Sequence, residues 1–158
     1  HVDAWAEDGT PLHRAAASWE GKSACEVLLA WRADVEARHN GETPLLKAAV
    51  GQHIDTCRVL ISARGNVNAR ESDGCTPLHR AVKDGRVVTN KGSDSSKSAN
   101  LCRLLVASAA TVDATDQDGL TPLHYAAGFA AADVCEALLD SRASPCLTAR
   151  VFRDAAPS

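Results

Sequence analysis

The tetrapeptide Thr10-Pro11-Leu12-His13 returns as Thr43-Pro44-Leu45-Leu46, Thr76-Pro77-Leu78-His79 and Thr121-Pro122-Leu123-His124. The steps are 33, 33 and 45 residues, the last being the same period with an insertion of 12. Three further landmarks move in register with it. Cys25, Cys57, Cys102 and Cys135 each open an aliphatic stretch, and Val35, Val67 and Val112 follow the first three cysteines by ten residues. Asp8-Gly9, Asn40-Gly41, Asp73-Gly74 and Asp118-Gly119 stand just ahead of each Thr-Pro. Self-similarity at such a period marks a stacked array, in which no unit buries its apolar face alone and neighbours supply the core.

Each landmark has a local reason. Threonine caps a helix by accepting from a free backbone N–H, and proline suits the first helical position, where the missing N–H has no partner to lose. The alanines that follow (Ala15, Ala16, Ala17; Ala48, Ala49; Ala126, Ala127) let helices approach closely. A polar link then leads to a second helix whose apolar face in the first unit carries Cys25, Leu28 and Leu29. The Asn-Gly and Asp-Gly pairs supply the positive φ angles of a tight turn. Each unit therefore reads helix, loop, helix, hairpin, and the expected class is an all-α solenoid with short β-hairpin turns.

The Thr-Pro-Leu-His-x-Ala pattern on this period resembles the signature of the ankyrin-repeat family, and the likeness runs from Val2 to about Cys146. It divides the chain into a hairpin remnant at 1–9 and repeats at 10–42, 43–75, 76–120 and 121–150, with a segment at 151–158 expected to form a short C-terminal cap. The third repeat carries an inserted loop at about 86–97, rich in serine, glycine and charge. The resemblance also implies that the motif histidines His13, His79 and His124 hold neighbouring loops together rather than bind metal. It implies a non-catalytic scaffold that holds a partner protein in a concave groove and at its hairpin tips. Two alternatives stay open: a fixed structural subunit of a larger complex, in an organelle or elsewhere, and the regulatory arm of an enzyme outside this chain.

Composition narrows the partner. A net charge of −3 gives no basic field for nucleic acid, and no run of 18 apolar residues is available to enter a bilayer. The first ten residues lack a basic stretch followed by an apolar core, so no signal peptide is expected, and the lack of any methionine suggests a fragment or a processed product. Six cysteines without Cys-x-x-Cys spacing, four of them on one repeat position, imply free thiols in a reducing intracellular compartment, cytoplasmic or organellar. Cys75 and Cys146 are expected to be the reactive ones. No phosphate loop, nucleophile elbow or His-Glu-x-x-His is present, so neither catalysis nor a cofactor is expected.

The residue after the motif histidine faces the groove in the family, which here selects Arg14, Lys47, Arg80 and Tyr125. Three cations in one line, stepped by roughly 10 Å, would match an acidic partner. Arg38 and Arg70 sit at hairpin tips, as does Trp5, a residue type enriched in binding hot spots. Trp19 and Trp31 are placed to shield the ends of their own helices. Leu12, Ala15 and Ala16 have no encoded neighbour on the N-terminal side, so another repeat or a partner chain is expected to cover that end near Trp5, Leu12 and Trp19.

Overall fold

The computed structural model describes residues 2–84 and 95–145. Among the described residues eight helices follow one another in pairs: α1 Pro11–Ala16 and α2 Gly21–Ala30, α3 Pro44–Val50 and α4 Ile54–Ser62, α5 Pro77–Lys83 and α6 Ser95–Ala107, α7 Pro122–Gly128 and α8 Ala132–Asp140. Helices pack within a pair and against the same helix of adjacent pairs: α1 on α3, α3 on α5 and α5 on α7 form one layer, while α2, α4, α6 and α8 form the other. The segment at 151–158, Cys146 and most of the inserted loop lie outside the described residues.

The helices begin where the motif demands. Each first helix has threonine at its N-cap in extended conformation and proline in its first turn. Thr43 and Thr121 accept from the backbone N–H of Leu46 and His124, both at 3.4 Å. Termination is less legible. Arg32, Arg64, Ala109 and Arg142 close the second helices at φ of 63°, 68°, 68° and 65°. Around them, Ala33, Gly65, Ala110 and Ala143 donate to Leu28, Leu60, Leu105 and Leu138, the bond of a Schellman cap. A left-handed non-glycine residue costs about 1 kcal/mol, and here the closing bonds offset it. In the hairpins Asn40 and Gly41 are both at positive φ, whereas at Asp8-Gly9, Asp73-Gly74 and Asp118-Gly119 only the glycine is.

Two ladders tie unit to unit. The side chains of Asp3, Glu36, Asn68 and Asp113 accept from the backbone N–H of Asp34, Asn66, Thr111 and Ser144 at 3.1, 2.7, 2.7 and 2.9 Å. These acceptors directly follow Val2, Val35, Val67 and Val112, so 2–9 is held as the hairpin of a repeat. The second ladder uses the motif histidines. His13 Nδ1 accepts from the Thr10 N–H at 3.3 Å, and its Nε2 donates to the Glu42 carbonyl at 3.1 Å. His79 repeats this with Thr76 and Leu120 at 3.2 and 3.1 Å. Leu46 breaks the second ladder; there Gln52 Nε2 donates to the Ala81 carbonyl at 2.9 Å and joins units two and three.

The core is the alanine, leucine and cysteine set that the repeat positions imply. Leu12, Ala16, Cys25, Leu45, Ala49, Cys57, Leu60, Leu78, Cys102 and Leu105 are fully buried, so Leu12 and Ala16, expected to stand uncovered at the N-terminal end, are instead covered by the described chain itself. Cys75, expected to be reactive, is also fully buried. Its position after Gly74 turns it inward, and burial pushes its thiol up to about 11. Cys135, expected inside, is instead half-buried.

Candidate functional site

The first helices carry the four groove positions expected from the sequence, close to the hairpins ahead of them, and these positions do not share one environment. Arg14 is exposed, with 64% of its side chain accessible, and sits 3.8 Å from an equally exposed Asp8. Lys47 is ion-paired with Glu42 and half-buried. Arg80 is bound by Glu71, by Asp73 at 3.2 Å and by Asp84 at 3.8 Å, leaving 20% of its side chain accessible. Those carboxylates hold the guanidinium charged. Tyr125 donates its hydroxyl to Asp116 at 2.6 Å, and burial together with that bond pushes the phenol well above its usual value. Lys83 Nζ lies 4.6 Å from the centre of the Tyr125 ring.

The line of three free cations is therefore corrected. Lys47 and Arg80 are neutralised by acids of the hairpins just ahead of their own helices, whereas Arg14 meets its hairpin acid, Asp8, only at 3.8 Å with both side chains exposed. Sequence spacing placed all four on one face, but the pairing depends on where each hairpin aims its carboxylates.

Arg38 and Arg70 are also spent internally. Arg38 Nη1 donates to the carbonyls of Gly41 and Arg70 at 3.1 and 3.0 Å, and Arg70 donates in turn to the Thr115 carbonyl. They lace one hairpin to the next. Trp5 occupies the same repeat position in the first hairpin, where no such bond is available to it. It remains 61% exposed and packs on two imidazoles, with ring centres 6.4 Å from His13 and 6.2 Å from His39. Beside this cluster opens a groove of about 540 Å³ lined by Glu7, Asp8, His13, Arg14, His39 and Lys47.

Trp19 and Trp31 do not shield their helices; they are 71% and 76% exposed. Trp19 meets His53 edge-on at 5.9 Å, and Lys97 lies 5.4 Å over its face. His53 in turn bonds the Ala17 carbonyl at 3.2 Å. This patch is built on the α1–α2 and α3–α4 links. Sequence reasoning missed the His39 and His53 contacts, because nothing in the repeat pattern marks which histidine stacks on which indole. Among the described residues no group of three or more His, Cys, Asp or Glu is placed to hold a metal, and no helix is long and apolar enough to cross a membrane.

Comparison with known proteins agrees with this architecture. Family models described as ankyrin repeats match residues 12–90 in three copies, and 73–117 and 118–150 singly. A curated relative, the tyrosine-protein kinase Shark of Drosophila melanogaster, is 36% identical over 73 residues, which is 46% of this chain and 8% of that protein. The chain thus corresponds to under a tenth of that relative's length. Repeat models spanning nearly the whole described chain, on a structure of paired helices joined by hairpins, show that this protein belongs to the ankyrin-repeat family.

Proposed function

We propose that the chain is a non-catalytic scaffold that binds a partner protein through the N-terminal half of its concave face. Ankyrin repeats generally serve protein–protein interaction, and one observation favours this half. Arg14 is the groove cation without a close carboxylate clamp, and it lines the same groove as the half-buried His39, on which the exposed Trp5 packs. In units two and three the corresponding cations are already neutralised, so a partner would first have to break internal ion pairs. Tryptophan and arginine are among the residue types enriched at binding hot spots. This groove suits a partner segment carrying a carboxylate beside an apolar side chain.

The test is affinity capture from the native source followed by crosslinking mass spectrometry, repeated with Trp5→Ala and Arg14→Glu. Capture should fall at least tenfold with either variant, on the order of 1.4 kcal/mol or more, and the wild-type interaction should weaken with salt. Helicity should not change, because both side chains are exposed. Undiminished capture by both variants would refute this placement of the site.

A further inference from the structure

Four hairpins stand ahead of the first helices, and three of them place aspartate before glycine, as Asp8-Gly9, Asp73-Gly74 and Asp118-Gly119. The hairpin that leads into α3 carries Asn40-Gly41 instead. Its backbone differs too. Gly9, Gly74 and Gly119 donate their N–H groups to the carbonyls of Ala6, Glu71 and Asp116 at 3.0, 3.0 and 3.2 Å. The Gly41 N–H makes no hydrogen bond among the described residues. It lies at the tip of a two-residue turn, with Asn40 at φ 50° and Gly41 at φ 84°, closed by His39 and Glu42 donating to each other's carbonyls at 2.9 Å.

An unspent amide directly after an asparagine is a nucleophile within reach of that residue's side-chain carbonyl carbon. Gly41 presents it with nothing in the way: a Cβ at this position would meet Ser72 N first, at 3.6 Å, and glycine has the backbone freedom to swing its nitrogen toward Cγ. Asn40 is exposed, so water reaches it. Its Nδ2, the atom that must leave, donates to His39 Nε2 at 3.1 Å, an imidazole able to exchange a proton with it.

Three other asparagines lack this combination. Asn66, Asn68 and Asn100 precede Val67, Ala69 and Leu101, whose side chains crowd the attacking nitrogen. Asn66 Oδ1 accepts from the Asn68 N–H at 2.9 Å. The Asn68 amide is held on both sides, accepting from the Thr111 N–H at 2.7 Å and donating to the Ala109 carbonyl at 3.2 Å. Asn100 stands within α6, where the amide that follows it belongs to the helix ladder.

We infer that Asn40 is a self-modifying residue: its side-chain amide converts, without an enzyme, to aspartate and isoaspartate. The Gly41 nitrogen bonds to Asn40 Cγ, the Cγ–Nδ2 bond breaks, and ammonia leaves with the proton that Gly41 gave up. Water then opens the cyclic imide. Cleavage of the new N–Cγ bond leaves aspartate, and cleavage of the original main-chain bond leaves isoaspartate, with one extra carbon in the backbone. No oxidant or reductant takes part. Either product adds a carboxylate to the groove that Asn40 lines together with Arg14 and Lys47. The isoaspartyl product also lengthens a turn whose length fixes the pairing register. It therefore breaks the His39–Glu42 pair, and the Glu42 carbonyl is the one that His13 Nε2 reaches at 3.1 Å. The consequence for binding rests on the placement of the partner in this groove proposed above: the site loses affinity as the chain ages.

Incubation of the full chain at mildly alkaline pH, followed by mass spectrometry and isoaspartate mapping, tests this. The peptide containing Asn40 should gain about 1 Da, the difference between a carboxyl and an amide, before those containing Asn66, Asn68 or Asn100. Isoaspartate should appear there ahead of Asp8, Asp73 and Asp118. In chains carrying it, hydrogen exchange at the His39 and Glu42 amides should speed up, while Asn40→Gly incubated in parallel should keep both protected. Earlier conversion at any other of these positions, or an Asn40 that survives incubation, would overturn the proposal, as would unchanged exchange at His39 and Glu42. Asn40→Asp adds the charge without the extra carbon, so its exchange should match that of the fresh chain, and it serves as the control if the glycine variant fails to fold. Proteins that the fresh chain captures and Arg14→Glu does not should be recovered at least about threefold less by the converted chain, the size of an exposed charge interaction. Equal recovery would sink the effect on binding. If no captured protein depends on Arg14, the placement of the partner fails, while mass and exchange still decide the chemistry of Asn40.

Discussion

His13 and His79 are held in one protonation state by their surroundings. Nδ1 accepts from a backbone N–H and lies 2.9 Å from the threonine hydroxyl, while Nε2 must carry the proton to reach the carbonyl of the next unit. A second proton on Nδ1 would remove the acceptor, and burial lowers both imidazoles below their ordinary 6.5. Below that value the unfolded chain binds protons that the folded chain does not, so stability rises with pH across this window. Stability should therefore be intact above about pH 6.5 and be lost progressively as pH falls below it. Asp73 and Asp116, whose folded values are lowered, add to the loss only under more acidic conditions. Urea unfolding between pH 7 and pH 5 should show a falling midpoint in the native chain and a flatter one in His13→Leu/His79→Leu, which copies Leu46; an unchanged slope would mean the imidazoles are not the titrating groups. Cysteines obey the same logic of cover. Cys57 and Cys102 are pushed to about 12 and Cys75 to about 11 by burial, so mass spectrometry after brief alkylation of native protein should find Cys135 modified before any of these three.

At the scale of the helix and its link, the tightest place is the turn from α1 to α2. Gly21 donates to Ser18 at 3.1 Å, and a Cβ at this position would lie 1.7 Å from the Ala15 carbonyl oxygen. Backbone cannot yield as a flexible side chain would. Gly21→Ala should lower stability by about 1–3 kcal/mol, readable as a drop in the urea midpoint, whereas Gly128→Ala, where a Cβ meets nothing, should raise it slightly or leave it. The contrast shows which parts of the molecule were legible in the sequence. Helix starts were, because threonine and proline act locally on the N–H groups beside them. The left-handed helix ends at Arg32, Arg64, Ala109 and Arg142 were not, because no glycine announces them and the bonds that close them form only once the helix stands. The groove line was legible as a register but not as a charge. Whether Arg80 meets solvent or Glu71 depends on how the hairpin before it folds back, and repeat spacing does not encode that. Burial of Cys75 was hidden for the same reason.

The described residues form a row of four units in which helices pack on their counterparts in the adjacent unit: α2 packs on α4, α4 on α6 and α6 on α8, with the parallel sequence in the other layer. Stability in such a row is close to a sum of unit terms and junction terms. Units two and three have a junction on each side, while units one and four each leave a face partly uncovered, at Ala24 and Leu28 on one side and Leu123, Ala127 and Leu139 on the other. The junctions also differ among themselves. His13 and His79 bond the carbonyl just ahead of the threonine that opens units two and four, whereas no histidine does so ahead of unit three, and units two and three are joined by Gln52 donating to the Ala81 carbonyl and Arg70 to the Thr115 carbonyl. Local opening should therefore begin at the ends, and the middle should open only with the whole. Native-state hydrogen exchange at low protein concentration should protect amides of α3 to α6 most, with those of α1, α2, α7 and α8 exchanging through lower-energy openings. Uniform protection across all eight helices would show that the row unfolds as one unit and that its open faces cost it nothing.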